Sequence, residues 1–166
     1  MPYRFRPALP EDAVAIAELM LPESASQGGA LWGDFPADRI RHWLERNLED
    51  QMPVLLAEDP QGLVAVLFTT ASHRQDGPLP AIMARLHQGQ EPFYFYGPVC
   101  IAPRARGQGV LEGLKAELDR RLPGLKAVLF IQAGNAPSLK AHQRLGLSIE
   151  ARFEHQGQVF ELLHQP

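Results

Sequence analysis

Phe93-Tyr94-Phe95-Tyr96-Gly97-Pro98-Val99-Cys100-Ile101, followed at once by Ala102-Pro103-Arg104-Ala105-Arg106-Gly107-Gln108-Gly109-Val110, is the stretch whose reading decides the fold. The first nine residues are aromatic or apolar around one Gly-Pro step, which predicts a strand over 93–101. Pro98 has no N–H for a ladder and Gly97 weakens one, so the strand is expected to bulge or splay from its neighbour there. The loop 101–110 then leads into a helix predicted over 108–121. Gly107 and Gly109 let the backbone come close to a ligand, and the helix start aims unpaired N–H groups and a positive dipole end at an anion. Arg104 and Arg106 add charge and planar donors. A strand, a basic glycine loop and a helix start make a phosphate cradle.

Upstream, Tyr3 to Pro7 reads as a short strand, and Leu9-Pro10-Glu11-Asp12 opens a helix through Met20 with acidic residues in its first turn. A glycine-bearing loop over 22–35 precedes a second helix that starts at Pro36-Ala37-Asp38 and runs along Ile40, Trp43, Leu44 and Leu48. Two apolar runs, 53–58 and 62–70, flank Asp59-Pro60-Gln61-Gly62 and predict a hairpin. Residues 71–92 form a long connection broken by Pro78 and Pro80, with a helical turn or two over 81–87. Downstream come a strand over 126–132, a helix over 137–145 and two strands around Gln156-Gly157. The alternation predicts an α/β chain with one mixed, mostly antiparallel sheet of about seven strands, splayed at the fourth and flanked by about four helices.

The chain has 166 residues, 45% of them hydrophobic, enough for one domain over 1–166 with a real core. A net charge of −3 argues against nucleic acid as a partner and makes the basic loop fit a small anionic ligand. Cys100 stands alone, so no intrachain disulfide forms, and it reads as a core side chain on its strand. No apolar run is long enough to span a membrane, and Met1-Pro2-Tyr3-Arg4-Phe5-Arg6 lacks the apolar core of a signal peptide; the expected location is cytoplasmic. The six histidines show no metal-ligand spacing, and no metal is expected.

The residues resemble the GNAT superfamily of acyl-CoA-dependent N-acyltransferases along the whole chain. Phe5 to Asp12 is similar to the family's opening strand and helix, and Val99 to Val110 to its acyl-CoA signature. Asn135-Ala136-Pro137-Ser138 through His142 to Leu145-Gly146-Leu147 resembles its later segment, an Asn before a helix that usually ends in Gly-Phe. The resemblance implies that the backbone from Arg106 through Gly107, Gln108, Gly109 and Val110 to Leu111 takes the pyrophosphate of acetyl-CoA. It further implies that Val99, Cys100 and Ile101 pair with the pantetheine arm as an added strand and that Asn135 and Ser138 help hold it. A backbone donor beside the thioester would stabilise the oxyanion as an amine attacks directly. The family commonly has a Tyr at the position of His142, so His142 is the candidate acid for the leaving thiolate. Glu91, Tyr94 and Tyr96 on the central strand, with His73 and His87 in the long connection, are candidates for the base; Glu91 and Tyr96 are carried forward. Leu111 also departs from the pattern, which usually has a small residue there.

With the resemblance, these readings imply transfer of an acyl group, usually acetyl, to a primary amine, a small molecule being the expected acceptor while amino acids, antibiotics and protein N-termini stay open, by a monomer or homodimer with no nucleic-acid or membrane partner. Two others compete. Gly107-x-Gly109-x-x-x-Gly113 mimics a dinucleotide fingerprint, but the strand over 126–132 does not end in the required acid, and too few residues remain for a doubly wound sheet. A GNAT-like domain could instead bind acyl-CoA without turnover, as a sensor or partner module. Trp32 and Phe35 read as either acceptor pocket or satellite core.

Overall fold

The computed structural model describes residues 3–166, so Met1 and Pro2 lie outside the described residues. Seven strands form one mixed sheet in the order β1-β2-β3-β4-β5-β7-β6: β1 (Arg4–Pro7), β2 (Leu55–Asp59), β3 (Gly62–Ala71), β4 (Phe93–Ile101), β5 (Lys126–Gln132), β6 (Ser148–His155) and β7 (Gln158–His164). Five α-helices accompany them: α1 (Ala13–Met20), α2 (Ala37–Asp50), α3 (Pro78–Leu86), α4 (Val110–Arg121) and α5 (Ala136–Arg144). The chain makes two compact units, one of residues up to Thr69 with Gly97–Arg121, the other of Thr70–Tyr96 with Leu122–Pro166. Among the described residues no helix is long and apolar enough to cross a membrane.

In the first unit, β1 pairs antiparallel with β2 and β2 with β3. The runs Leu55-Leu56-Ala57 and Val64 to Phe68 are fully buried, so both strands carry apolar groups on both faces. At the hairpin turn the Asp59 carboxylate accepts the Gln61 N–H at 2.8 Å, a side-chain bond that competes with further ladder formation. Ile16 and Met20 of α1, Ile40 and Leu44 of α2, and Leu56, Val66 and Phe68 of the sheet form one core with Cys100. Arg6 fixes the entry to α1: it donates to both Asp12 oxygens at 3.0 and 2.9 Å and to Glu58 at 3.0 Å. These bonds hold the Asp12 carboxyl below its ordinary pKa. The predicted first helix starts as a 3-10 turn over Pro10–Asp12 before α1 proper.

One sequence reading changes here, and one open alternative is decided. Leu48, placed on the apolar face of α2, is 55% exposed, and the buried positions are Ile40, Leu44 and Asn47. Asn47 belongs inside because its amide donates to the Thr69 carbonyl at 2.6 Å, beside the Trp43 indole N–H at 3.1 Å. The Trp43 ring lies tilted against Phe68 at 4.6 Å and Phe35 at 6.3 Å between centroids, and Phe35 is part of the core.

In the second unit, β4 runs parallel to β5 through Phe93↔Lys126, Tyr94↔Ala127 and Phe95↔Val128, where the ladder stops. That stop comes just before Gly97-Pro98, as the missing N–H requires. β5 continues against β7, which closes on β6. Gln156 and Gly157 both have positive φ, 50° and 76°, the geometry of a two-residue hairpin turn matched to strand twist. Met83, Phe95, Val128 and Leu162 make the core, with Phe93, Phe130 and Phe153 packed against it.

The connection 71–92 holds a full helix, α3, which begins at Pro78 rather than at 81 and makes five α-helices where about four were expected. The prolines that suggested a break sit in its first turn, where a missing N–H removes no intrahelical bond.

Candidate active site

The glycine loop is built within the first unit. After β4 the chain makes a 3-10 turn over Pro103–Ala105, and α4 starts at Val110. Gly107 and Gly109 have φ of +70° and +81°, so both need glycine. The Gly113 N–H bonds the Gly109 carbonyl at 3.0 Å, which makes Gly109 the residue that opens the helix. The N–H groups of Val110, Leu111 and Glu112 therefore have no intrahelical acceptor. Arg104, Gly107 and Gln108 are exposed, and an added Cβ at Gly107 would meet nothing within 4 Å, so the backbone is open to a ligand. Leu111 is buried, so its side chain turns inward and does not crowd that backbone. Gly113 is a packing glycine: the Phe5 ring occupies the place of a Cβ, with Cε2 at 2.9 Å.

The two arginines are less available than their sequence position suggests. Arg104 pairs with Asp59. Arg106 donates to the Ile101 carbonyl at 3.1 Å and lies 3.5 Å from Glu23, with 53% of its side chain exposed. Gln108 bridges the loop, donating to the Arg104 carbonyl at 3.0 Å and accepting from the Tyr3 hydroxyl. An anion at this loop would meet the backbone first, with Arg106 the more exposed of the two arginine side chains beside it. Cys100 is 5% exposed, and burial pushes its thiol up to about 11, which leaves it protonated and not a nucleophile. Val99 and Ile101 flank it, half-buried.

The second constellation lies in the other unit and joins β4 to α5. Asn135 caps α5, its side-chain oxygen accepting the Ser138 N–H at 3.3 Å. One turn on, His142 is 3% exposed. Its Nδ1 lies 2.8 Å from the Ser138 carbonyl and 3.3 Å from the Ser138 hydroxyl. A carbonyl only accepts, so Nδ1 carries the proton and donates. Burial lowers the His142 pKa and keeps the ring neutral. Nε2 is then a lone pair, and it accepts from the Tyr96 hydroxyl at 2.9 Å, the two rings edge-on at 5.3 Å.

This geometry changes the expectation for His142. Its one N–H is spent on a carbonyl and its free nitrogen accepts, so the proton donor of the pair is Tyr96. Glu91 does not join them: its side chain is 65% exposed, it sits 3.9 Å from Lys126, and it precedes Tyr96 by five residues of mostly extended chain, roughly 16 Å. His73 is exposed, and His87 is held by Glu150 at 2.8 Å. Tyr94 is 1% exposed. Among these candidate acid–base groups, the structure brings Tyr96 and His142 together.

In fold the chain matches solved acetyltransferases, one of them of the GNAT superfamily. A phosphinothricin acetyltransferase of that superfamily from Sinorhizobium meliloti, solved in complex with acetyl-CoA, superposes with a TM-score of 0.73 at 18% identity, covering 100% of this chain and 89% of that one. A ribosomal-protein-alanine N-acetyltransferase from Brucella melitensis superposes with a TM-score of 0.72 at 24% identity, covering 97% and 98%. In sequence, the chain is 28% identical over 136 residues to the L-methionine sulfoximine/L-methionine sulfone acetyltransferase of Pseudomonas aeruginosa, 79% of this chain and 72% of that protein. No family model matches the chain.

Proposed function

We propose that the 166 residues act as one N-acetyltransferase domain that moves an acetyl group from acetyl-CoA to the primary amine of a small molecule in the cytoplasm. The observation that carries the reading is the hydrogen bond from Tyr96, on the nine-residue strand that leads into the glycine loop, to His142 of α5. The pyrophosphate is taken by the backbone from Gly107 to Leu111, with Arg106 adding charge. Val99 to Ile101 offer backbone groups to the pantetheine arm beyond the end of the β4–β5 ladder; Asn135 and Ser138 are candidates for holding it on the strength of the family resemblance.

A neutral amine attacks the thioester carbonyl, and a backbone N–H of β4 stabilises the oxyanion. The C–S bond breaks, and the departing thiolate takes the Tyr96 proton. His142 accepts the Tyr96 hydroxyl in the ground state and so orients it. The amine's proton passes to water, and the phenolate is reprotonated from solvent.

For the acceptor, the relatives' names point to L-methionine sulfone, L-methionine sulfoximine and phosphinothricin as first compounds. The test is release of free thiol from acetyl-CoA across a panel of amines that includes these three and an alanine-terminated peptide. Turnover with a small amine is expected. Acetyl-CoA binding with no thiol release on any amine would replace the enzyme by an acyl-CoA sensor.

A further inference from the structure

We propose that His87, Glu150 and His164 bind one zinc ion that clips the end of α3 to the β6–β7 hairpin. The three residues lie far apart in sequence, yet their ligand atoms fall within 4.8 Å of one another. His87 Nδ1 is 2.8 Å from one Glu150 oxygen, and His164 Nδ1 is 3.9 Å from the other. The two imidazole rings stand 5.8 Å apart. Ligands around a tetrahedral ion at about 2.0–2.1 Å are separated by about 3.3 Å. To the one Glu150 oxygen that both face, His87 Nδ1 at 3.1 Å and His164 Nδ1 at 3.9 Å bracket that value, and side-chain rotation within the 4.8 Å spread of the three ligand atoms closes the site.

The backbone is arranged to produce this cluster. Glu150 is the extra residue where the β6–β7 register shifts between Ile149 and Ala151. Such a bulge re-aims one side chain, here towards His87 and His164 instead of along the regular pleat. The Gln88 N–H holds a Glu150 oxygen at 3.3 Å, and Phe93 packs edge-on against the His87 ring at 5.1 Å. Gly89 is a further concession, since a Cβ there would sit 2.7 Å from His87 Nε2. The side chains of His87, Glu150 and His164 are 4%, 13% and 26% exposed, so the carboxylate is poorly hydrated. Two neutral imidazoles and a carboxylate are a zinc-binding set that leaves a fourth position for water.

The experiment is calorimetric titration of Zn2+ into metal-stripped full-length protein, with visible spectra of the Co2+ form and thermal melts beside it. One equivalent is expected to bind, raise the melting temperature and give Co2+ the intense bands of a tetrahedral site. Glu150→Gln and His164→Gln should each weaken Zn2+ binding at least about tenfold, while His42→Ala, an exposed histidine of α2, leaves it unchanged. His164 lies at the rim, so its variant keeps the fold even if loss of buried His87 does not. No binding to the wild type, or equal binding by His164→Gln, would overturn the proposal.

Discussion

Tyr96→Phe removes one oxygen and keeps the ring, so it separates chemistry from packing. The structure sets both magnitudes. The hydroxyl makes a 2.9 Å hydrogen bond to His142 Nε2 in a buried setting. Losing a bond of that kind costs about 1 kcal/mol net. In a chain of this size that lowers the melting temperature by roughly 2–4 °C, and the enzyme stays folded at the assay temperature. Removing a general acid lowers kcat by about 10²–10⁴-fold, or roughly 3–5 kcal/mol of activation free energy. The catalytic loss therefore exceeds the structural one severalfold. The assay is thiol release from acetyl-CoA at saturating amine, with the KM for acetyl-CoA followed in the same runs and melting by circular dichroism. A large fall in kcat with KM nearly constant is expected. A kcat within about threefold of wild type would refute Tyr96 as the acid, because the hydroxyl is the only group the substitution deletes.

Other outcomes follow from single contacts. Gly113→Ala should lose about 1–3 kcal/mol in urea unfolding, because the new Cβ meets the Phe5 ring; combined with Phe5→Ala, the same change should stabilise by up to about 1 kcal/mol relative to Phe5→Ala alone, as helix propensity predicts. With its thiol near 11, Cys100 is about one-thousandth thiolate at pH 8, so iodoacetamide should label the folded protein slowly and the urea-unfolded protein fast; equal rates would contradict its burial. His142 has its pKa lowered by burial, so the unfolded state takes a proton first as the pH falls. Its contribution is complete above the unfolded value near 6.5 and is lost between that value and the lowered folded one. His142→Gln should flatten that part of the stability–pH curve, and an unchanged slope would count against the neutral ring.

Much of the fold was legible because its signals are local. Gln156-Gly157 between two strands specified a tight hairpin, and Gly97-Pro98 marked where the β4–β5 ladder ends. The strand 93–101 was readable at both ends, since an apolar aromatic run gives way to Pro and Arg. Failures came where one residue type has two uses. Pro78 and Pro80 looked like breakers but serve as a helix first turn. Leu48 and Asn47 are neighbours on α2, and only the Thr69 carbonyl decides which points inward. The site was legible to the same extent. The glycine loop announces itself by spacing, whereas the Tyr96–His142 bond joins residues 46 apart and depends on the facing of a strand and a helix. The pairing of Arg104 with Asp59 was hidden for the same reason, because a turn residue and a loop residue meet only after the sheet forms. Glu150 could not be singled out at all, since a bulge of one residue leaves no mark in the alternation of β6.

The most direct test of the central claim is calorimetric titration of acetyl-CoA into the wild type and into Gly109→Trp, with the fold of each checked by circular dichroism. Gly109 opens α4 with φ of +81°, so a Trp there both strains the turn and covers the N–H groups assigned to the pyrophosphate. Binding by the wild type and a loss of at least about tenfold in the variant are expected; no binding by the wild type, or equal binding by both, would contradict the assignment of the loop.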